Sequence, residues 1–159
     1  TMGVKTASLY NHIENMDTLL TEVCRYALRM QEDGELRTIA GKTGREAVWA
    51  LAWAYRRFAQ QHRELYWLVM DTAAGEPRVL DDAAARFTEP LNQVLSGFRL
   101  PPREEIHFRR MFRAIVHGFA SQEDEGFFSH YPASTELSFE FAIQRFIDCV
   151  LEAEKRNPS

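Results

Sequence analysis

The sequence predicts an all-α protein, on three observations. Apolar residues recur at the three- and four-residue spacing of helices along most of the chain, and no stretch alternates as strands do. Glycine and proline residues, such as Gly44, Gly75 and Pro101-Pro102, separate these segments into helical lengths. The 159 residues, 45% of them hydrophobic and 26% charged, have the composition of a globular protein that buries a core.

Hydropathy, cysteine content and charge exclude several classes of protein. No run of eighteen apolar residues and no signal-peptide pattern occur, so we expect a cytoplasmic protein that does not contact a membrane. Cys24 and Cys149 lack the spacing of a metal motif, and we expect both to be buried thiols without a disulfide. The net charge of −4 excludes binding of nucleic acid through positive charge spread over the whole surface.

The first element is an unusual short helix over about residues 5–11. Gly3 is placed to be the turn glycine at which one helix ends and the next begins at a steep angle. Two turns are too short to be stable alone, and Val4, Leu9 and Ile13 supply apolar anchors. Polar side chains crowd one end, which is typical of a helix that presents its N-terminal residues to a groove of nucleic acid.

A connecting helix over residues 17–34 follows, capped by Asn15 or Asp17 and ended by Gly34. The next helix, over about residues 44–62, is apolar around nearly its whole circumference, so we expect neighbouring helices on every side of it. Thr43 and Glu46 form a capping-box pattern at its start. Four further helices are predicted over about residues 64–73, 78–97 (with Pro90 as a kink), 103–121 (with Pro102 in its first turn) and 135–155.

The N-terminal residues read Gly-Val-x-x-x-x-Leu-Tyr-x-His from Gly3, followed by an apolar residue and by Leu19-Leu20. This order resembles the DNA-recognition end of the tetracycline-repressor (TetR) family of transcriptional regulators. The resemblance implies that residues 1–16 are the remnant of a helix-turn-helix, whose first helix and most of whose second we expect to precede Thr1. It also implies that residues 43–159 form a C-terminal helical domain that binds an effector and dimerises. His117-Gly118-Phe119 resembles a His-Gly signature in that domain of one subfamily.

In a regulator of this kind the N-terminal helix contacts a duplex. Hydroxyl and methyl groups of Thr6, Ala7 and Ser8 suit base edges in the major groove, whereas Tyr10 and His12 suit phosphates. The alternative is a surface turn whose hydroxyl groups merely cap a helix. Family members often have lysine at the position of Met16, so one phosphate contact is lacking here. The predicted DNA-binding residues are Lys5, Thr6, Ala7, Ser8, Tyr10, Asn11 and His12.

The helical body is rich in aromatic side chains, which predicts either a plain core or the lining of a pocket between helices. We favour a pocket for a small apolar or aromatic effector, with a polar group of the effector near His117. The predicted pocket residues are Trp49, Trp53, Tyr66, Met70, Phe87, Phe112 and His117.

Two terminal helices with broad apolar faces suit a four-helix bundle between two subunits, although the same stripe is also compatible with packing inward. A palindromic operator requires a homodimer, because the DNA-binding segment of one subunit contacts only one half-site. The predicted dimer-interface residues are Phe119, Phe139, Ile143, Phe146, Ile147 and Val150.

Motifs of catalysis and metal binding are missing from the sequence. It contains no HExxH, P-loop, GxGxxG or GxSxG pattern, so we expect no enzyme activity, no cofactor and no metal. The sequence therefore predicts a TetR-like regulator whose binding to double-stranded DNA is controlled by an effector. We expect this regulator to be a repressor. The alternative is a helical ligand-binding or interaction module that does not bind DNA.

Overall fold

The computed structural model describes residues 6–75 and 81–157, with side chains described for residues 15–72 and 88–157. Over these ranges the chain forms α-helices and one 3-10 helix, without a strand, so the predicted all-α class is confirmed. Within the same ranges no helix is both long and apolar enough to cross a membrane. The α-helices are α1 (Thr6–Ile39), α2 (Gly44–Gln61), α3 (Arg63–Gly75), α4 (Asp81–Ser96), α5 (Pro102–Asp124) and α6 (Thr135–Lys155), and the 3-10 helix is Phe127–His130.

The first helix differs most from the prediction. α1 is one unbroken helix from Thr6 to Ile39, where the sequence predicts a helix over 5–11 and another over 17–34. Gly34 does not end it, because the packing of Leu36 and Ile39 against the core outweighs the cost of about 1 kcal/mol for a glycine inside a helix. The helix ends instead just before Gly41, whose φ of +74° a residue with a Cβ rarely adopts. The division into a DNA-binding remnant (1–16) and a connecting segment (17–34) stays a prediction.

α2 lies at the centre of the fold and packs against each of the other five α-helices, as its apolar circumference predicts. Thr43 is its N-cap, but its side chain accepts no capping hydrogen bond, so the predicted capping box does not form. The Glu46 carboxylate lies 4.0 Å from the Lys42 ammonium group instead. The buried residues of α2 are Ala47, Val48, Leu51, Ala52, Tyr55, Arg56, Phe58 and Ala59.

The apolar stripe of α6 faces inward. Phe139, Ile143, Phe146, Ile147 and Val150 have no accessible surface within a single chain, and the Phe146 ring packs 5.4 Å from that of Phe112. Side chains without accessible surface in one subunit have none to contribute to a contact with a second subunit. These five residues therefore cannot form the dimer face that the sequence analysis assigned to them. Phe119 is half-buried and packs between Phe128 and Phe139.

The two cysteines occupy different environments. Cys24 is fully buried on α1, as predicted, whereas Cys149 on α6 is exposed, so the prediction of two buried thiols is wrong for Cys149. The exposed position follows from the helical period, because Cys149 lies between the inward-facing Ile147 and Val150 and thus on the opposite face. Both thiols are free.

The aromatic layer between α5 and α6 makes a testable contribution to stability. We expect Phe146→Ala to lower the free energy of unfolding by about 3–5 kcal/mol, because it leaves a cavity beside Phe108 and Phe112. Tyr26→Ala, at an exposed aromatic residue of α1, is the control and should change it by about 0.5 kcal/mol or less. Urea unfolding at one protein concentration measures both, and equal losses would show that this layer is not the core.

Candidate functional site

A cavity of about 570 Å³ lies between α3, α4 and α5. Its volume falls within the range of roughly 300–1,000 Å³ that is usual for sites binding small organic molecules. Apolar side chains from all three helices form much of its wall, and they are Met70, Leu91, Ile106 and Ala114.

The remainder of the wall is polar and basic. Arg109, Arg110, Arg113 and His117 line it together with Thr88 and Asn92, and no acidic side chain lines it among the residues whose side chains the structure describes. The α5 members recur at three- and four-residue spacing, which places them on one face of that helix. Arg109 forms an ion pair with Glu105 one turn earlier, whereas Arg110 is exposed and has no ion pair within the described part of the chain.

Behind His117 runs a chain of hydrogen-bonded side chains. The Tyr55 and Tyr66 hydroxyl oxygens are 3.1 Å apart, and the Tyr66 hydroxyl also lies against Nδ1 of His117. Donation from Tyr55 to Tyr66 and from Tyr66 to His117 uses each hydroxyl proton once and leaves the imidazole proton on Nε2. Burial raises the pKa of both tyrosines, and burial together with the charge of Arg113 lowers the pKa of His117. The chain is therefore uncharged at neutral pH.

Arg113 also connects the cavity to α1. Glu35 is buried and accepts a hydrogen bond of 2.8 Å from the amide of Gln31. Burial raises the pKa of Glu35 from 4.5 to about 7, opposed by that hydrogen bond and by the positive charge of Arg113. The guanidinium thus interacts electrostatically with a group on α1 and with His117, while its side chain lines the cavity.

Asn92 is the least satisfied polar group of the cavity. Its side-chain oxygen is buried and has no hydrogen-bond partner among the residues that the structure describes. A buried acceptor without a donor costs about 1–3 kcal/mol. A bound molecule that donates a hydrogen bond would remove this cost.

The apolar side of the cavity touches the contact between α1 and α3. Met70 lines the cavity and also packs against a small cluster formed by Cys24, Ala27, Leu28 and Val69. Within this contact the Cys24 thiol lies 3.3 Å from the hydroxyl oxygen of Thr72. A change in the position of Met70 therefore acts directly on the packing of α1.

A second cavity, of about 270 Å³, lies between α2, α3 and α5. Its charged groups already have partners: Arg63 pairs with Asp124, and the Trp67 indole donates a hydrogen bond of 2.8 Å to the same carboxylate. The adjacent Glu123 carboxylate forms an ion pair with the buried Arg56. This smaller cavity offers less volume and fewer unsatisfied groups, so the α3–α4–α5 cavity is the stronger candidate site.

The predicted pocket residues are distributed over several environments. Met70 and His117 line the larger cavity, and Tyr66 lies behind His117 and lines the smaller one. Phe112 belongs to the core, where it packs against Phe146. Trp49 and Trp53 lie in neither cavity: the rings of this pair are 6.5 Å apart, and the Trp53 ring packs edge-on against Phe139. The side chain of Phe87 lies outside the described residues.

The predicted DNA-binding residues fall largely outside the described part of the chain. Lys5 is not described, and of Thr6, Ala7, Ser8, Tyr10, Asn11 and His12 only the helical backbone is described. Their roles stay predictions. The sequence analysis did not identify the basic wall of the cavity, although the spacing of Arg109, Arg110, Arg113 and His117 on one helical face is visible in the sequence.

Comparison with known proteins identifies the family. Residues 48–146 match a family described as tetracyclin repressor-like, C-terminal domain. The match covers more than half of the chain, from α2 into α6, and the chain belongs to this family, as the resemblance of its N-terminal residues predicts. An uncharacterized HTH-type transcriptional regulator of Mycobacterium tuberculosis is 29% identical over 131 residues, which are 79% of this chain. The chain spans 58% of the length of that relative.

The ionisation of Glu35 makes stability depend on pH. Its pKa is about 7 in the folded protein against an ordinary value of 4.5, so the folded state binds the proton more tightly. The stabilisation from this proton is complete below pH 4.5 and is lost as the pH rises through 7. We expect Glu35→Gln to gain about 2–3 kcal/mol relative to the wild type between pH 5 and pH 8.

Urea unfolding of both proteins across this pH range measures the gain. Glu46→Gln, at an exposed carboxyl group of α2, is the control and should follow the wild type. A difference between wild type and Glu35→Gln that is constant with pH would contradict the assignment.

Proposed function

We propose that the protein is a DNA-binding transcriptional regulator whose affinity for its operator is controlled by a small molecule bound in the α3–α4–α5 cavity. The observation that carries the proposal is that Met70 belongs both to the wall of this cavity and to the contact that holds α1 on α3. Membership of the tetracycline-repressor-like family supports it, because the C-terminal domain of this family is joined here to a segment with the recognition pattern that begins at Gly3.

The first step of control is direct contact between the ligand and Met70. A ligand that fills the cavity contacts Met70, which also packs against the cluster of Cys24, Ala27, Leu28 and Val69. Packed interiors transmit such displacements because they contain few voids. The result is a changed preference for the position of α1 relative to α3.

The second step is electrostatic. Arg113 lines the cavity and interacts with the carboxyl group of Glu35, which is buried on α1. A ligand that engages Arg113 changes the electrostatic environment of Glu35, and hence the free energy of the α1 position that buries it. Both routes end on α1, which leads without a break to the predicted DNA-binding residues.

Control of operator binding by the position of α1 requires two subunits. A palindromic operator presents two half-sites about 34 Å apart, so a shift of α1 in each subunit changes whether both recognition segments fit. The ligand acts as an effector by binding one arrangement more tightly than the other. Release of DNA on ligand binding would make the protein a repressor relieved by its ligand.

The homodimer is proposed to use the exposed face of α6. Leu137 and Phe141 are 65% and 66% exposed and lie one turn apart on α6, and Phe127 and Tyr131 in the segment before α6 are exposed as well. Large apolar side chains clustered on a surface mark sites of protein contact. This face replaces the inward-facing stripe that the sequence analysis assigned to the interface.

A second candidate is a helical ligand-binding module that does not bind DNA. The net charge of −4 and the exposed Met16, at a position where lysine is usual in the family, favour it. The two candidates differ in whether the full-length protein binds DNA, while both keep the cavity.

The first test concerns DNA. We expect the full-length protein to shift DNA from upstream of its own gene in a gel, and Tyr10→Ala to bind about tenfold more weakly through loss of a charge-assisted phosphate contact. Tyr26→Ala, at an exposed tyrosine further along the same helix, should bind as the wild type does. Absence of a shift on the whole upstream region would favour the ligand-binding module, and equal binding by all three proteins would remove Tyr10 from the contact.

The second test concerns the dimer. We expect Phe141→Glu to raise the dissociation constant of the dimer about thirtyfold or more, the effect of losing a central anchor worth roughly 2 kcal/mol. Light scattering after size-exclusion chromatography, over a series of protein concentrations, measures the change. Tyr26→Glu introduces the same charge at an exposed aromatic residue of α1 and should leave the dimer intact. An unchanged dimer in Phe141→Glu would place the interface elsewhere.

A further inference from the structure

We propose that the α3–α4–α5 cavity binds a carboxylate that carries an apolar body and a hydrogen-bond donor close to its charged group. This inference rests on the proposed function only in taking that cavity as the ligand site. It assigns the chemistry of the ligand, which the apolar and aromatic lining expected from the sequence does not.

The charge of the wall points to an anion. Three guanidinium groups, those of Arg109, Arg110 and Arg113, line one cavity, and among the described residues that line it none is acidic. The Glu105 carboxylate forms an ion pair with Arg109 and offsets its charge, whereas Arg110 has no ion pair within the residues that the structure describes. The planar guanidinium presents parallel N–H groups that match a carboxylate or a phosphate. We take the carboxylate, because the smaller group leaves more of the cavity for an apolar body.

The remaining wall points to an apolar body. Met70, Leu91, Ile106 and Ala114 come from three helices and line the same cavity as the arginines. A small inorganic anion would leave these side chains uncovered and most of the volume of about 570 Å³ unfilled. A molecule with roughly ten carbon atoms next to its carboxylate uses both kinds of wall.

Asn92 supplies the third element. Asn92 lines the same cavity, and its side-chain oxygen is buried and has no hydrogen-bond partner among the described residues. A carboxylate accepts hydrogen bonds and cannot satisfy this oxygen, whereas a hydroxyl or amide N–H can. The ligand class is therefore a hydroxylated or amide-bearing carboxylic acid with an apolar chain or ring.

Three probes separate these elements: 3-hydroxydecanoate has all of them, decanoate lacks the hydroxyl group and decane-1,3-diol lacks the carboxylate. We expect 3-hydroxydecanoate to bind the full-length protein most tightly and the diol at least about tenfold more weakly, as for loss of a charge-assisted hydrogen bond. Decanoate should bind severalfold more weakly than the hydroxy acid. Isothermal titration calorimetry below the micelle concentration measures all three.

Variants assign each preference to its residue. Arg113→Met and Arg110→Met should each reduce the advantage of the hydroxy acid over the diol, and Arg110→Met tests this even if the half-buried Arg113 proves necessary for folding. Asn92→Leu should abolish the advantage of the hydroxy acid over decanoate. Arg103→Met removes an exposed charge from the same helix outside the cavity and should leave all preferences unchanged.

An uncharged fluorescent probe, N-phenyl-1-naphthylamine, separates failure of this inference from failure of the proposed site. If this probe binds, and Ala114→Trp blocks it by filling the cavity, the ligand site stands. Equal binding of the diol and the hydroxy acid, or preferences unaffected by both arginine variants, would then overturn the carboxylate assignment alone. If no probe binds the folded protein, both the ligand class and the proposed ligand site are wrong.

Discussion

Tyr55 and Arg56 are buried on the central helix α2, and the rest of the structure is arranged around their need for polar partners. Tyr55 finds the Tyr66 hydroxyl on α3, and Arg56 finds the Glu123 carboxylate on α5. The Arg56 guanidinium also lies 4.9 Å from the centre of the Phe139 ring on α6. A buried polar group without a partner costs more than its bond contributes, so these contacts fix how α3, α5 and α6 lie on α2.

The same requirement explains why the candidate site lies where it does. Tyr66 and His117 continue the hydrogen-bonded chain from α2 toward the cavity. The positive charge of Arg113, which lines the cavity, acts on both His117 and Glu35. Polar groups that must be satisfied inside a helical body are thus concentrated at one place. A cavity beside such a place has apolar walls with a few convergent polar groups, the composition of most small-molecule sites.

The sequence was sufficient to predict the helices but not the orientation of every face. Helical spacing and proline or glycine boundaries located α2, α3, α5 and α6 to within a few residues. The stripe of Phe139, Ile143 and Phe146 has the same spacing whether it faces the core or another subunit, and the positions of α2 and α5 decide between the two. Trp53 and Met70 are both apolar residues in predicted helices, so the sequence does not show that only Met70 lines the cavity. The cavity forms where α4 packs on α5, and local sequence patterns do not encode this long-range contact.

Because α1 is one continuous helix, a small rotation at its contact with α3 becomes a larger displacement at its amino-terminal end. Cys24 marks its contact with α3, and Thr6 lies 18 residues away along one unbroken helix, about 27 Å at the usual rise per residue. A stiff rod pivoting by about 5° at that contact carries its far end through roughly 2 Å, although atoms at the pivot hardly move. Displacements too slight to break any contact in the helical body are thereby magnified at the amino-terminal end.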